Sequence, residues 1–137
     1  MKIKIFISTV LVFCFTSISA QRLKLSYDGY YTTLPDTLNP FRYYLRFYPE
    51  GNVIGYSTAG NPKNLLPWFN KDHSSPSKGQ YTFKDSIINF SLRSEEGNVL
   101  YNGKMINGSH LYFSVKSMIN QYEAKEEYFF MKMEGLK

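Results

Sequence analysis

The chain has 137 residues, with 16 lysines and arginines against 11 aspartates and glutamates, and aromatic residues make up 18% of it. The basic residues are scattered rather than clustered, so the charge pattern excludes a typical nucleic-acid-binding surface, and we expect no nucleic-acid partner. The abundance of tyrosine and phenylalanine is typical of half-buried β-sheet surfaces.

The N-terminus has the pattern of a secretory signal peptide. Lys2 and Lys4 supply positive charge, and the apolar stretch that follows is too short to span a bilayer as a stable helix. The run from Ser17 to Ala20 resembles a cleavage site. This predicts a signal peptide over residues 1–20, cut before Gln21 or one residue earlier. We therefore expect a secreted or periplasmic protein with no transmembrane segment after cleavage.

The only cysteine, Cys14, lies within that apolar stretch. A lipoprotein signal needs a small residue before the modified cysteine, and Phe13 is large, so we expect no lipidation. Residues 21–137 are predicted to form a single domain without disulfides, whose stability must come from its core. An exported domain of this kind fits a bacterial envelope or an extracellular setting.

Residues 43–57 set the pattern of the chain. Two sets of residues alternate along the first half and lie on opposite faces of one strand: Tyr43, Leu45 and Phe47 on one face, and Tyr44, Arg46 and Tyr48 on the other. The run from Pro49 to Asn52 forms a tight turn, because proline presets φ and Gly51 accepts positive φ. The chain then returns as a second strand from Val53 to Ser57.

The same unit of strand, polar turn and return strand repeats along the chain. Besides the hairpin, alternating apolar residues predict strands over residues 23–33, 79–83, 87–92, 99–106, 110–117 and 126–133. Asn107-Gly108 is the strongest hairpin signal, since both positions accept positive φ. In the long connection between the third and fourth strands, Asn61-Pro62 predicts a short distorted helix that ends at Phe69.

Eight strands with short local connections favour an antiparallel meander. Such a meander removes its exposed edges by closing on itself, so the sequence predicts an all-β fold, an eight-stranded antiparallel up-and-down barrel. A two-sheet sandwich of immunoglobulin type is the alternative, and it needs longer crossover connections. A barrel of this size is filled with side chains or holds one small ligand.

Three stretches carry a family resemblance: Tyr27-Asp28-Gly29-Tyr30-Tyr31 in the first strand, the hairpin from Leu45 to Val53, and Trp68-Phe69-Asn70 after the third strand. In these stretches the chain resembles small secreted lipocalin-like barrels of the calycin type, many of them uncharacterised bacterial proteins. The resemblance implies a lipocalin-like barrel over residues 21–137. The chain departs from the Gly-x-Trp of lipocalins, where it has Gly29-Tyr30-Tyr31.

The sequence offers little for catalysis or metal binding. No cysteine remains after processing, and the two histidines, His73 and His110, lack the spacing of a metal motif. Glu126 and Glu127 are neighbours on a strand and point to opposite faces, so they do not form an acid–base pair. We expect no catalytic residues, no metal and no cofactor. The one exception left open is a carboxylate-based site inside the barrel.

The first function hypothesis is a non-catalytic barrel that binds a small apolar ligand in its interior, beneath a lid of loop aromatics. The candidate ligand-binding residues are Tyr43, Leu45, Phe47, Trp68, Phe69, Phe83, Phe90 and Phe113. The simpler interpretation of Trp68 and Phe69 is a hydrophobic plug that covers one end of the barrel.

The second hypothesis is a protein-interaction module, such as an inhibitor or envelope-assembly factor, with a filled core and an exposed Tyr/Arg face. The candidate partner-binding residues are Tyr44, Arg46 and Tyr48, because exposed tyrosine and arginine are enriched at binding hot spots. The simpler interpretation is cross-strand tyrosine pairing that stabilises the sheet. The volume of the barrel interior separates the two hypotheses.

Overall fold

The computed structural model describes residues 22–137. Eight antiparallel strands close into a barrel in sequence order, and the last strand pairs with the first. The strands are β1 (Gly29–Thr32), β2 (Arg42–Phe47), β3 (Asn52–Thr58), β4 (Ser77–Lys84), β5 (Ile87–Ser94), β6 (Gly97–Asn107), β7 (His110–Ser117) and β8 (Glu123–Lys132). The predicted up-and-down barrel is confirmed, and the sandwich alternative is wrong.

The predicted signal peptide, residues 1–20, lies outside the described residues and stays a prediction. In the part of the chain that the structure describes, no helix is long and apolar enough to cross a membrane.

The up-and-down order gives the barrel two distinct ends. The turns β2–β3, β4–β5 and β6–β7 lie at one end, which we call the lower end. The opposite, upper end carries the β1–β2 and β3–β4 loops and the β5–β6 and β7–β8 turns. The two long loops therefore lie at the upper end, and the lower end carries only short turns between strands.

A hairpin forms at the predicted Asn107-Gly108 signal, with Asn107 pairing with His110, but without the predicted positive φ. Positive φ at both central residues occurs at Asp85 (51°) and Ser86 (67°), between β4 and β5, whereas Asn107 and Gly108 do not take it. Asn107 instead ends β6, and its Oδ1 accepts a hydrogen bond from the N–H of Ser109 at 2.9 Å. A register shift near the end of β6 provides the bend that the turn needs.

The segment before β1 closes the lower end of the barrel. The strand predicted from residue 23 begins only at Gly29, and residues 22–28 cross beneath the barrel with Leu25 buried in the core. The Oη of Tyr31 accepts a hydrogen bond from the N–H of Ser26 at 3.0 Å and donates to the Gly108 carbonyl at 2.9 Å. These bonds tie the segment to the β6–β7 turn.

The barrel interior is filled by inward-facing side chains. The core cluster comprises Leu25, Tyr31, Leu45, Phe47, Val53, Ile88, Phe90, Leu92, Tyr101, Met105, Leu111, Phe113, Val115 and Tyr128. Phe90 stacks on Tyr101 with ring centroids 4.6 Å apart, and it meets Phe113 edge to face at 5.4 Å. Aromatic pairs of this geometry contribute about 0.5–1.5 kcal/mol each beyond their buried area.

A second apolar cluster lies outside the barrel wall. The outward side chains Tyr30, Tyr44, Tyr48 and Ile54 pack there against Leu65 and Phe69 of the β3–β4 loop. The loop contains a 3₁₀ helix, Pro62–Leu65, and the Oδ1 of its N-cap residue Asn61 accepts a hydrogen bond from the N–H of Lys63 at 2.9 Å. The predicted start is correct, but the helix ends after one turn rather than at Phe69.

Candidate functional site

The predicted interior ligand site is packed with side chains. The inward members of the predicted ligand-binding set lie in the core or against it: Tyr43, Leu45, Phe47, Phe83, Phe90 and Phe113. Phe47, for example, meets Tyr31, Tyr81 and Phe90 edge to face at 5.2–5.6 Å. The inward orientation predicted for Tyr43, Leu45 and Phe47 is correct, but most of these side chains contact one another rather than an empty calyx.

Trp68 and Phe69 do not cover an end of the barrel, so the predicted lid or plug is wrong. Phe69 is 1% exposed and packs against the outward ring of Tyr30, with centroids 6.3 Å apart. Trp68 is 46% exposed and lies edge to face against His73 at 4.6 Å. The loop lies on the wall because the outward tyrosines of β1 and β2 give Phe69 an apolar surface to bury.

Tyr44, Arg46 and Tyr48 point outward as predicted, but the β3–β4 loop covers them, so the expected exposed Tyr/Arg face is wrong. Arg46 is 6% exposed. Its Nη1 donates to the Phe69 carbonyl at 2.6 Å, and its guanidinium lies 4.5 Å from the ring centroid of Tyr48. The Oη of Tyr48 accepts a hydrogen bond from the N–H of Lys71 at 3.0 Å. These residues anchor the loop to the wall.

The upper end of the barrel holds a recess of about 140 Å³. Strand register places small side chains, or none, at its inward positions: Gly55, Ser57 and Ser77. Tyr43, Val99 and Tyr101 form much of the remaining lining. The recess exists because Ser57 and Ser77 fill less space than the aromatic rings lower in the barrel, whereas the space beside Gly55 is taken by the Leu92 side chain.

A carboxylate that two tyrosine hydroxyls contact is an electrostatic neighbour of Tyr101, one of the residues that line the recess. Glu126 pairs with the inward residue Phe113 across β7 and β8, so it faces the interior, where it is half-buried. The Oη of Tyr128 donates to Glu126 Oε2 at 2.7 Å, and the Oη of Tyr122 lies 3.4 Å from Oε1. We name the following residues the mouth cluster: Tyr43, Tyr101, Tyr122, Glu126 and Tyr128.

The phenols of Tyr101, Tyr122 and Tyr128 stay protonated and neutral at ordinary pH. Burial raises the pKa of Tyr101, of Tyr122 and of Tyr128, and the negative charge of Glu126 raises each of these pKa values further. Tyr43 is a further electrostatic neighbour of Tyr101 and Tyr122. A neutral phenol can donate a hydrogen bond to the carboxylate, whereas a phenolate would repel it.

Glu126 has no cationic partner among residues 22–137. The ion pairs of that part of the chain are Lys71–Glu50, His110–Glu127, Lys116–Glu123 and Lys132–Glu134. All four lie on the outside of the barrel, and at least one side chain of each is well exposed. Glu126 is therefore a half-buried carboxylate whose protein hydrogen bonds come from phenols.

The sequence interpretation named Glu126 only as a strand neighbour of Glu127, and it did not single out Tyr101, Tyr122 or Tyr128. A usable signal is the phase of β8, in which Glu126 alternates in step with Ala124 and Tyr128. This phase makes Glu126 the one charged residue among the inward positions in the upper half of the described strands. Its neighbours in the sequence, Lys125 and Glu127, point outward and are exposed.

A larger open groove of about 1060 Å³ lies outside the barrel, between the β3–β4 loop and the β5–β6 turn. Trp68, His73, Lys78, Arg93 and Glu95 contribute to its walls. The His73 Nδ1 accepts a hydrogen bond from the N–H of Ser75 at 3.0 Å. Within the described residues, no group of three or more His, Cys, Asp and Glu side chains is arranged to hold a metal ion.

Comparisons of the chain with protein-family models, with curated proteins and with solved structures found no significant match. The closed eight-stranded antiparallel barrel is consistent with a calycin-like fold.

Proposed function

We propose that this protein is an exported, non-catalytic, lipocalin-like barrel that binds a small ligand at its upper mouth rather than deep in its interior. The observation that carries the proposal is the asymmetry of the barrel. The lower end is closed by residues 22–28 and filled with aromatic side chains, whereas the upper end holds the recess of about 140 Å³. Drug-sized ligands occupy about 300–1,000 Å³, so the recess takes one end of a ligand.

Exposed apolar side chains at the upper end supply a surface for the rest of the ligand. The β1–β2 loop carries Leu34, Leu38 and Phe41, and Leu38 is 93% exposed. Met118 and Ile119 lie in the β7–β8 turn at the same end. Large exposed apolar groups concentrated in one region are typical of binding surfaces. We call these five residues the apolar rim.

Filling the recess tests the proposal. Ser57 pairs with Tyr43 across β2 and β3 and is exposed at the mouth, so Ser57→Phe places an aromatic ring in the recess without disturbing the packed core. Native mass spectrometry of protein purified without denaturant should detect a bound small molecule on the wild-type protein and none on Ser57→Phe. Ser114→Phe, on the exposed outer face of β7, is the matched control and should retain the molecule.

Two outcomes contradict mouth binding. One is a wild-type protein that carries no small molecule and takes up none from an extract of its culture medium. The other is equal retention by the wild-type protein and Ser57→Phe.

A second candidate function is a protein-interaction module that uses the apolar rim. The observation in its favour is Leu38, an almost fully exposed leucine in a loop that makes no hydrophobic core contact. This replaces the Tyr/Arg face, which is buried. A photo-crosslinking residue at position 38 should give one discrete protein adduct in intact cells. The same residue in place of the exposed, outward Asn102 should give none, and adducts from both positions alike would count against the module.

A further inference from the structure

We infer that the ligand carries a positively charged ammonium group, which the mouth cluster holds between the Glu126 carboxylate and the tyrosine rings. This inference rests on the proposed function, because it names the chemical class of the ligand at the same mouth. It goes beyond it, because a barrel that binds at its mouth could equally take a neutral or an acidic molecule.

The charge of Glu126 favours a cationic ligand. An ionised carboxylate offers about four acceptor positions. Glu126 accepts one short hydrogen bond, 2.7 Å from Tyr128, and has a longer contact, 3.4 Å, with Tyr122. Both donors are neutral, so they solvate the negative charge without neutralising it. Acceptor positions remain, and an ammonium group both fills them and supplies the opposite charge.

The tyrosine rings around Glu126 also favour a cationic ligand. The face of a tyrosine ring attracts a cation within about 6 Å through its quadrupole, and several rings around a carboxylate add to the attraction. Tyr43 and Tyr101 line the recess, and the hydroxyl of Tyr122 lies 3.4 Å from Glu126 Oε1. Tyr43 is only partly buried, so part of its ring remains free for contact.

Anionic and neutral apolar headgroups are both disfavoured beside Glu126. An anionic headgroup would be repelled by Glu126, whose charge none of the ion pairs of residues 22–137 neutralises. A neutral apolar headgroup would desolvate the carboxylate without replacing its lost water contacts, which is unfavourable. A cation gains charge attraction from the carboxylate and from the rings together, which a neutral hydrogen-bond donor does not.

Size and surroundings narrow the class further. A recess of about 140 Å³ accommodates a compact headgroup but not a large ring system. The apolar rim then contacts an aliphatic remainder. The ligand class is therefore an amphiphilic amine, with its ammonium group beside Glu126 and its alkyl part against the rim.

The test uses octylammonium chloride as the probe, with octanol and sodium octanoate as neutral and anionic counterparts, in isothermal titration calorimetry on the full processed protein. The wild-type protein should bind octylammonium at least tenfold more tightly than octanol, and octanoate more weakly still. Glu126→Gln, which keeps the shape and the hydrogen bond from Tyr128, should lower the octylammonium affinity at least tenfold and leave the octanol affinity unchanged.

Glu127→Gln is the matched control. Glu127 is the next residue of β8, lies on the outer face beside His110, and is 51% exposed. It carries the same charge as Glu126 but faces outward, so its loss should not change octylammonium affinity. A weaker affinity in both variants would point to general electrostatic attraction and would overturn the inference.

The outcomes separate the two claims. Mouth binding stands and the ammonium inference fails under one combined result. In that result octylammonium and octanol bind with equal affinity, Glu126→Gln changes neither affinity, and Ser57→Phe abolishes the binding of both probes. If Ser57→Phe leaves the binding of every probe unchanged, mouth binding fails as well. If octylammonium does not bind to the wild-type protein, the inference is wrong. Thermal unfolding of each variant shows whether it is folded before the titration.

Discussion

Adjacent residues of the same chemical type meet opposite surroundings in this protein. Glu126 faces the interior and accepts a hydrogen bond from Tyr128, whereas Glu127 faces outward. Phe69 is buried against the wall, whereas Trp68 is largely exposed. In the glutamate pair the difference follows from strand alternation. In the aromatic pair it follows from the side of the loop that meets the wall, so residue type alone predicts neither role.

The aromatic pair provides a sharp stability test. Phe69→Ala removes a buried ring from the cluster on the outer wall, so the free energy of unfolding should fall by about 3 kcal/mol. Trp68→Ala, at the neighbouring position, removes a ring that is 46% exposed and should lower it by only about 1 kcal/mol. Urea unfolding of both variants checks this. Equal losses, or a larger loss for Trp68→Ala, would show that the loop packs differently.

At the scale of elements, the hairpins are the predictable part, because their signals are local. Strand β7 matches its predicted range, His110–Ser117, and Gly51 takes the positive φ predicted for the β2–β3 turn, at 105°. Apolar alternation and turn-forming residues act over a few positions, so one sequence is enough to recognise them. The register shift in β6 and the backbone conformation of the β6–β7 turn depend on pairing between strands and escape this kind of signal.

The β3–β4 loop shows what local signals do not contain. Arg46 donates to the Phe69 carbonyl, Lys71 N–H donates to Tyr48 Oη, and Lys71 pairs with Glu50 at 2.6 Å. Each of these contacts joins residues more than twenty positions apart. The sequence indicates that the loop is apolar enough to be buried, but it does not indicate which surface buries it.

The mouth cluster is predictable only in part from local signals. Alternation along β8 is enough to put Glu126 on the same face as Tyr128, so half of the site is open to prediction. The approach of Tyr101 and Tyr122 is not, because it depends on the register of β6 against β7 and on the path of the β7–β8 turn. A one-residue slip of β8 would turn Glu126 to solvent and Glu127 inward.

At the scale of the whole molecule, the barrel has one filled end and one open end, and tyrosine hydroxyls donate hydrogen bonds near both ends. Near the lower end, Tyr31 donates to the Gly108 carbonyl, and near the upper end Tyr128 donates to Glu126. Burial raises the pKa of Tyr31, of Tyr101 and of Tyr128 above the ordinary value of 10.0. The folded barrel therefore keeps these phenols protonated at a pH at which the unfolded chain ionises them.

We therefore expect stability to fall steeply at alkaline pH. Above about pH 10, the unfolded chain releases tyrosine protons that the folded barrel retains, so the free energy of unfolding falls as pH rises, by at most about 1.4 kcal/mol per pH unit for each such tyrosine. Below about pH 9 both states are protonated and this contribution is constant. Urea unfolding at a series of pH values measures the slope. Tyr128→Phe should reduce it, whereas Tyr112→Phe, on the outer face of β7, should leave it as in the wild-type protein. A free energy of unfolding that stays level across this range, or equal slopes in all three proteins, would show that the buried phenols do not control alkaline stability.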